Sequence, residues 1–196
     1  MLPSRSSRLI SRLGSLLLGA LSLGAGMGHG ETLTDGITGV VNGEPITFME
    51  INRFISPKED ELRKQFQGKE FEQKLKAIRR QGLEDLIDQK LIVEAFRRLG
   101  GVIPPEYADQ QIKEAIKTLF QGEEGLFRRS LAAYGETVEE YRQALEEQAI
   151  VAYMTKAQVD DKVTATIPAD REKEAQALRQ KWLEGLRKDA TIQRLF

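Results

Sequence analysis

The chain has 196 residues, with 29 lysines and arginines against 30 aspartates and glutamates, one histidine and no cysteine. These counts exclude disulfide frameworks, thiolate or histidine-rich metal sites and cysteine nucleophiles, because the side chains that they need are absent. The near-neutral charge also argues against a nucleic-acid partner, since phosphate binding needs a concentrated excess of positive charge.

The first thirty residues have the pattern of a secretory signal peptide. Arg5, Arg8 and Arg12 precede an apolar run over Leu13–Leu23, and small residues follow it. The run is much shorter than the roughly 20 residues that a membrane-spanning helix needs. We therefore predict a signal peptide over residues 1–30 and export to the periplasm of a host with two membranes. The mature chain is expected to have no stable membrane insertion; an uncleaved anchor is the alternative.

After the signal peptide the chain begins with a predicted β-hairpin. The segments Ile37–Val41 and Glu44–Thr47 flank Asn42-Gly43, a pair that takes positive φ at both central positions of a type I′ turn. Pro45 has no N–H to donate, so it belongs on the outer edge of the second strand. Any further strand must therefore join the sheet beside Ile37–Val41.

A capping box follows the hairpin directly. The Thr47 hydroxyl and the Glu50 carboxylate are spaced to satisfy each other's backbone N–H groups, which predicts a short helix through Phe54. Ser56-Pro57 predicts a break in the helix, because proline disfavours helical backbone at the residue before it. Good helix formers then predict a second helix over Lys58–Gln67.

The longest predicted helix covers Glu70–Leu99 and ends at Gly100-Gly101, which supplies a left-handed C-cap. Pro104-Pro105 begins the next helix, and Gly122 ends it. The two helices carry apolar residues at helical spacing, which predicts their buried faces. These residues are Phe71, Leu75, Ile78, Leu83, Ile87, Leu91, Ala95 and Leu99 in the first helix, and Ile112, Ile116, Leu119 and Phe120 in the second.

Two further helices and a returning tail complete the predicted fold. A short helix over Glu123–Tyr134 stops at Gly135, and the capping box of Thr137 and Glu140 begins a helix that continues to about Val159. Its predicted stripe is Val138, Tyr141, Leu145, Ala149 and Ala152. The β-branched residues before Pro168 predict a linker. A last helix over residues 169–188 and a strand over residues 191–196 follow.

Four segments occur in a fixed order along the chain: the hairpin, the middle of the long helix, the proline-initiated helix and the helix that ends before the second capping box. They are Gly39–Thr47, Leu83–Ile92, Gln111-Ile112 and Leu131–Tyr141. In this order they resemble the N-terminal chaperone domain of SurA and its relatives, and the likeness spans residues 37–166. The tail from Trp182 to Phe196 is similar to the C-terminal helix and strand of the same family.

The resemblance implies a mainly α domain whose C-terminal segment adds a strand to the N-terminal hairpin. Residues 31–167 would then form the chaperone domain, and residues 168–196 would complete it. In the family, prolyl-isomerase domains of the parvulin type lie in the linker between these parts. The chain has no room for such an insert between Val163 and Arg171, and the histidines of a parvulin site do not occur. Isomerase catalysis is therefore not expected.

The sequence contains no arrangement of residues that indicates catalysis. Acyl or phosphoryl transfer needs a nucleophile with a general base, or a metal, and the one histidine, His29, lies in the predicted signal peptide. Adjacent acidic residues recur along the helices, but helical neighbours point about 100° apart and rarely converge. We interpret them as solvated helix faces and predict no catalytic residue, no cofactor and no metal site.

Aromatic, leucine and methionine side chains in the second half are the candidate binding residues. At helical spacing such residues usually belong to a core, but flexible and amphipathic side chains also adapt to many extended apolar segments. The candidates for a groove that binds unfolded proteins are Phe120, Leu126, Phe127, Tyr134, Tyr141, Tyr153 and Met154.

The resemblance and the missing catalytic groups together suggest an exported, ATP-independent holding chaperone. Its expected partners are unfolded or partly folded envelope and outer-membrane proteins, with no nucleic-acid partner. Two alternatives stay open: a non-catalytic, partner-binding assembly subunit of the cell envelope, and a peptidyl-prolyl isomerase like the longer relatives. The oligomeric state, and exchange of the last helix between two copies, also stay open.

Overall fold

The computed structural model describes residues 36–195, so the predicted signal peptide lies outside the described residues. The fold is mainly α with one small sheet, as the sequence predicts. The helices are α1 (Phe48–Gln65), α2 (Gly68–Arg98), α3 (Pro105–Leu119), α4 (Glu124–Ala133), α5 (Val138–Gln158) and α6 (Pro168–Lys188). The strands are β1 (Ile37–Val41), β2 (Glu44–Thr47) and β3 (Ile192–Arg194), and a 3₁₀ turn covers Asp160–Lys162.

Strand β1 lies in the middle of the sheet, whose order is β2-β1-β3. Asn42 and Gly43 have φ angles of 50° and 88°, the positive values that the predicted type I′ turn requires. Pro45 lies opposite Val40 in β2, an edge strand. Strand β3 pairs antiparallel with β1 on the other side. The prediction that the tail joins the sheet beside β1 is therefore confirmed.

Hydrogen bonds at both ends of β3 fasten it to the hairpin. The Asn42 N–H donates to the Thr191 carbonyl at 2.9 Å, and the Leu195 N–H donates to the Thr38 carbonyl at 2.8 Å. The Asn42 side chain adds a third bond, because its Oδ1 accepts from the Thr191 N–H at 2.8 Å. Residues 149 positions apart in sequence are thereby joined.

Four charged side chains hold the tail against α2. Arg187 donates to Asp88 Oδ1 at 2.7 Å and to Glu84 Oε2 at 3.0 Å. Arg194 donates to both oxygens of Glu84, at 2.5 Å and 2.9 Å. The hydrogen bond from Arg194 outweighs partial burial and lowers the pKa of Glu84 from its ordinary value. Glu84 is therefore ionised at neutral pH, where it bonds both arginines.

The described chain divides into two compact units, the first of which comprises Gly36 and Phe48–Gly82. Its helix α1 is continuous through Pro57, so the predicted break at Ser56-Pro57 is wrong. Proline removes one main-chain donor, but good helix formers follow it and a buried face runs along both halves of the helix. The buried residues of α1 are Ile51, Ile55 and Leu62.

Within this first unit, α1 packs against the first part of α2. The backbone of Gly82 approaches α1 so closely that a Cβ there would lie 2.6 Å from Cγ2 of Ile55. The Arg79 guanidinium lies 5.0 Å from the centre of the Phe48 ring and donates to the Asn52 side chain at 3.1 Å. These contacts account for the close pairing of the two helices.

The second unit comprises Ile37–Thr47 and the chain from Leu83 onward, and its helices pack around two apolar clusters. The α2–α5 cluster has Ile92, Val93, Phe96, Ile150 and Met154 at its centre, with Trp182, Leu183 and Leu186 of α6 packed against it. The α3–α5 cluster has Ile112, Phe127 and Leu131 at its centre, with Ile116, Phe120, Val138, Tyr141 and Leu145 around them. The first half of α5 therefore packs in the α3–α5 cluster, and its second half packs in the α2–α5 cluster.

The helix signals in the sequence agree with the observed helix ends. After α2, Gly100 has a φ of 75° and donates its N–H to the Arg97 carbonyl at 2.9 Å, while the Gly101 N–H donates to the Phe96 carbonyl at 3.0 Å. These are the two bonds of a Schellman motif. Before α5, the Thr137 side chain accepts from the Glu140 N–H, and the Glu140 side chain accepts from the Thr137 N–H. The predicted capping box is therefore present.

Three residues of the predicted buried stripes are instead exposed. Leu99 is 75% exposed and Leu119 is 38% exposed, because each lies at the end of its helix, where the chain turns away from the core. Ala152 is exposed because α5 changes its packing partner. Its buried residues in the second half are Ile150 and Met154.

Candidate functional site

Three of the seven predicted binding residues form one aromatic row in the α3–α5 cluster. The Phe127 ring centre lies 5.6 Å from that of Phe120 and 5.5 Å from that of Tyr141, and both pairs meet edge to face. Phe127 is only 1% exposed, while Phe120 and Tyr141 are half-buried. Burial, with a smaller effect of Glu136, raises the pKa of Tyr141, so its phenol is neutral. The row is a packed, uncharged part of the core.

Leu126 and Tyr134 lie at the outer side of the same region, each 39% exposed. Leu126 precedes the buried Phe127 in α4, and Tyr134 follows the last turn of that helix. Leu119 at the end of α3 is exposed to a similar extent. We name Leu119, Leu126 and Tyr134 the α4 surface. These three apolar side chains neighbour residues of the α3–α5 cluster in sequence and are partly exposed.

Tyr153 and Met154 lie at the other cluster, so the structure does not bring all seven predicted residues together. Met154 is buried in the α2–α5 cluster at 3% exposure, whereas its neighbour Tyr153 is 61% exposed. The Tyr153 ring meets Phe96 edge to face, with ring centres 5.9 Å apart. Tyr153 therefore covers one side of Phe96 and leaves most of its own surface in solvent.

The same Phe96 ring carries a more exposed apolar surface, which sequence reasoning missed. The Gly101 backbone packs on the ring, since a Cβ at Gly101 would lie 2.4 Å from two of its atoms. Leu99 and Val102, on either side of the Gly100-Gly101 pair, are 75% and 80% exposed. We name Phe96, Leu99, Val102 and Tyr153 the Phe96 patch. The available sequence signal was two apolar residues flanking a glycine pair at a helix end.

A small cleft lies beside the hairpin turn, with a volume of about 210 Å³. Its lining residues are Val41, Asn42, Glu44, Lys90, Glu94 and Arg97. Lys90 donates to Glu44 at 2.8 Å and the Asn42 amide donates to Glu94 at 2.5 Å, so these polar groups already bond one another. The cleft is smaller than the roughly 300–1,000 Å³ of typical small-molecule sites. Its contacts serve to hold the hairpin.

Several acidic residues of the helices bond with neighbouring side chains or main chain. Glu124 pairs with Arg128 at 2.6 Å, Glu140 caps α5, and Glu147 accepts from Gln89 at 3.1 Å. Within residues 36–195, no three side chains of His, Asp or Glu come together as metal ligands would. The acidic pairs thus have structural partners.

Between Gly36 and Leu195, none of the helices is both long and apolar enough to span a membrane. A search of curated proteins returned no match. A family model described as SurA-like N-terminal domain matches residues 10–155, which is most of the chain. This family's domain is a non-catalytic module of chaperone type. The chain belongs to the SurA-like N-terminal domain family.

Proposed function

We propose that the chain is an exported, ATP-independent holding chaperone, which binds unfolded envelope and outer-membrane proteins in the periplasm. Family membership supports a chaperone-like role, and the arginine-led apolar run of residues 1–30 supports export. In this proposal residues 31–196 are the functional chain, with residues 168–196 completing the domain. The clients are proteins that have crossed the inner membrane and are not yet folded.

The Phe96 patch is the observation that carries this proposal. Single exposed apolar residues are common on soluble proteins. Here Tyr153 packs on the Phe96 ring, and Leu99 and Val102 flank the Gly100-Gly101 pair, whose Gly101 backbone packs on the same ring. All three side chains are more than half exposed. Exposed apolar groups that lie together indicate a surface that binds another protein. An unfolded client offers many short apolar segments, and each can cover the patch weakly.

The α4 surface offers a second, weaker contact for the same client. Leu119, Leu126 and Tyr134 are each about two-fifths exposed, and charged residues such as Glu123 and Glu124 lie between them in sequence. Two weak contacts on one chain raise the effective affinity for a long flexible client, because binding at one increases the local concentration at the other. Release then needs no ATP, since a folding client withdraws its apolar segments.

The test is suppression of aggregation. A urea-unfolded porin is diluted into buffer with a modest molar excess of the protein, and light scattering is followed. We expect the wild type to lower the scattering. The double variant Leu99→Ser/Val102→Ser should bind the porin roughly thirtyfold more weakly, since each of the two side chains contributes about 1 kcal/mol when a client covers it.

Ile167→Ser is the matched control for this variant. Ile167 is 61% exposed and precedes α6, outside both surfaces, so its replacement should leave the suppression unchanged. A wild type that does not lower the scattering would refute the proposal. Capture of one folded partner at fixed stoichiometry would favour the assembly-subunit alternative, and catalysis of proline-peptide isomerisation would favour the isomerase alternative.

A further inference from the structure

The outer edge of β3 presents main-chain groups in a pattern that follows from the sheet register. In the antiparallel pair of β1 and β3, Thr38 bonds Leu195 and Asn42 bonds Thr191 through the main chain. Hydrogen-bonded and non-hydrogen-bonded pairs alternate along such a ladder. Ile192 and Arg194 are opposite Val41 and Gly39 at the non-bonded positions, so their N–H and C=O groups point away from β1.

These outward groups are unused in the part of the chain that the structure describes. Among residues 36–195, the main-chain hydrogen bonds found outside regular helices and strands include none from Ile192 or Arg194, and the register directs the groups of both residues away from β1. Gln193, Arg194 and Leu195 are exposed, so solvent reaches this edge. The other edge of the sheet differs, because Pro45 removes the N–H that β2 would present there. The sheet is therefore blocked on one side and open on the other.

The open edge is also held in place. The Thr191 and Leu195 bonds fix the two ends of β3, and the Arg194 side chain bonds both oxygens of Glu84 on α2. A fixed strand loses little conformational entropy when another strand joins it, which favours binding. The Arg194 side chain bonds Glu84 and Ile192 is half-buried, while the main-chain groups of both residues face outward.

We propose that the β3 edge binds an extended segment of an unfolded protein as a fourth strand of the sheet. Donors and acceptors at alternate residues of an edge are matched by the main chain of another extended segment. Recognition through the main chain does not depend on the client's sequence, and the short edge keeps the contact weak. This proposal rests on the proposed chaperone function and assigns it a second mode of contact, distinct from the Phe96 patch.

The direct test uses amide hydrogen exchange of the wild type by NMR. The probe is a synthetic ten-residue peptide of alternating valine and serine with a lysine at each end. We expect the peptide to slow exchange at the Ile192 and Arg194 amides several-fold, because a paired N–H is protected from water. The Asn42 and Leu195 amides, which are already bonded, serve as internal references and should change little.

A pair of variants tests the same edge independently. Ile192→Pro removes the side chain and the outward N–H, whereas Ile192→Ala removes much of the side chain and keeps the N–H. The proline variant should bind the peptide roughly fivefold more weakly than the alanine variant, the effect of one main-chain hydrogen bond. Protection of the Leu195 amide in both variants verifies that β3 is still paired with β1.

The outcomes separate this proposal from the chaperone function. If the porin is held in solution but the peptide leaves the Ile192 and Arg194 amides unchanged, the edge proposal is wrong and the chaperone function stands. If neither porin nor peptide binds, both are wrong. Slowed exchange at these two amides together with weaker binding by Ile192→Pro supports the fourth strand.

Discussion

At the residue scale, two adjacent residues in α4 have opposite environments, so their substitutions should have different effects on the free energy of unfolding. Phe127 is 1% exposed and Leu126 is 39% exposed. We expect Phe127→Ala to lower the free energy of unfolding by about 3–5 kcal/mol, because it removes the central ring of the Phe120, Phe127 and Tyr141 row and leaves a cavity. Leu126→Ala should change it by about 0.5 kcal/mol or less.

Urea denaturation followed by circular dichroism measures both changes. The two substitutions lie next to each other in one helix, so helix propensity affects them similarly and the difference reports packing. Equal effects of the two substitutions would contradict the buried position of Phe127. Weaker suppression of aggregation by a Leu126→Ala variant of unchanged stability would place Leu126 among the client contacts.

Gly101 gives a second prediction at this scale. A Cβ at Gly101 would lie 2.4 Å from the Phe96 ring, whereas a Cβ at Gly185 would have no neighbour within 4 Å. Gly101→Ala should destabilise the protein by about 1–3 kcal/mol, because the ring must move within a packed cluster. Gly185→Ala lies within α6 and should instead stabilise by about 0.5–1 kcal/mol.

Thermal unfolding measures this prediction: the midpoint temperature should fall for Gly101→Ala and rise for Gly185→Ala, relative to the wild type. Gly101→Ala should also alter the near-ultraviolet circular dichroism of the aromatic side chains, since Phe96 and Tyr153 are in contact. A neutral Gly101→Ala would mean that the Phe96 ring has room to move, and the Phe96 patch would then be less fixed than the contacts indicate.

At the scale of elements, the turns and helix ends that depend on neighbouring residues were predicted correctly from the sequence. Three such features are present: the Asn42-Gly43 turn, the capping box of Thr137 before α5, and the glycine C-cap of α2. Each depends on residues within one turn of each other. Even the long-range pairing of β3 followed from a local fact, the missing N–H of Pro45. The failures involve tertiary packing, which the sequence does not express locally.

Pro57 and the end of α2 illustrate those failures. The cost of a proline within α1 is outweighed by burial along the helix face, and burial depends on partners remote in sequence. Leu99 fits the apolar spacing of α2, but the turn at Gly100 directs the chain away from the core. The most exposed part of the candidate site could not be predicted for this reason, since spacing alone assigns Leu99 to the interior.

The anchoring of the tail gives a prediction of pH dependence at the element scale. The hydrogen bond from Arg194 lowers the pKa of Glu84 in the folded protein, whereas an unfolded glutamate has a pKa of about 4.3. The unfolded state therefore takes up a proton first as the pH falls. Glu84 contributes stability that is present above about pH 4.3 and is lost as the pH falls through the lowered folded pKa.

Glu84→Gln should lower the free energy of unfolding at neutral pH by about 1–2 kcal/mol and remove part of the stability loss on acidification. Urea denaturation at several pH values measures this, and exchange of the Leu195 amide reports whether β3 loosens. Glu114→Gln, at an exposed position of α3, is the matched control and should keep the wild-type pH profile. An unchanged profile in Glu84→Gln would contradict the role of Glu84 in anchoring the tail.

At the scale of the whole molecule, the strands nearest the two ends of the described chain meet in one sheet. Helix α6 has no fully buried residue, and its half-buried Trp182, Leu183 and Leu186 pack against the α2–α5 cluster. The tail is therefore held by this packing, by the strand pairing and by the ion pairs of Glu84 and Asp88. An exchange of the tail between two copies of the chain would use the same contacts.

An engineered disulfide distinguishes these two arrangements. Val41 and Ile192 are opposite each other at a non-hydrogen-bonded position, where Cα atoms lie about 4.5 Å apart, a separation that a disulfide spans. The chain has no cysteine, so Val41→Cys/Ile192→Cys introduces one defined pair. We expect a monomer with an internal disulfide on a non-reducing gel, stabilised by about 2–4 kcal/mol relative to its reduced form.

Val41→Cys alone and Ile192→Cys alone are the controls, since neither can form the internal bond. A covalent dimer that appears only in the double variant and involves both positions would mean that the tail pairs with the hairpin of a second copy. The oxidised monomer should still suppress porin aggregation, because the Phe96 patch and the α4 surface lie outside the β1–β3 junction and the disulfide leaves the outward main-chain groups of β3 in place. Activity that returns only on reduction would mean instead that clients bind when β3 separates from β1.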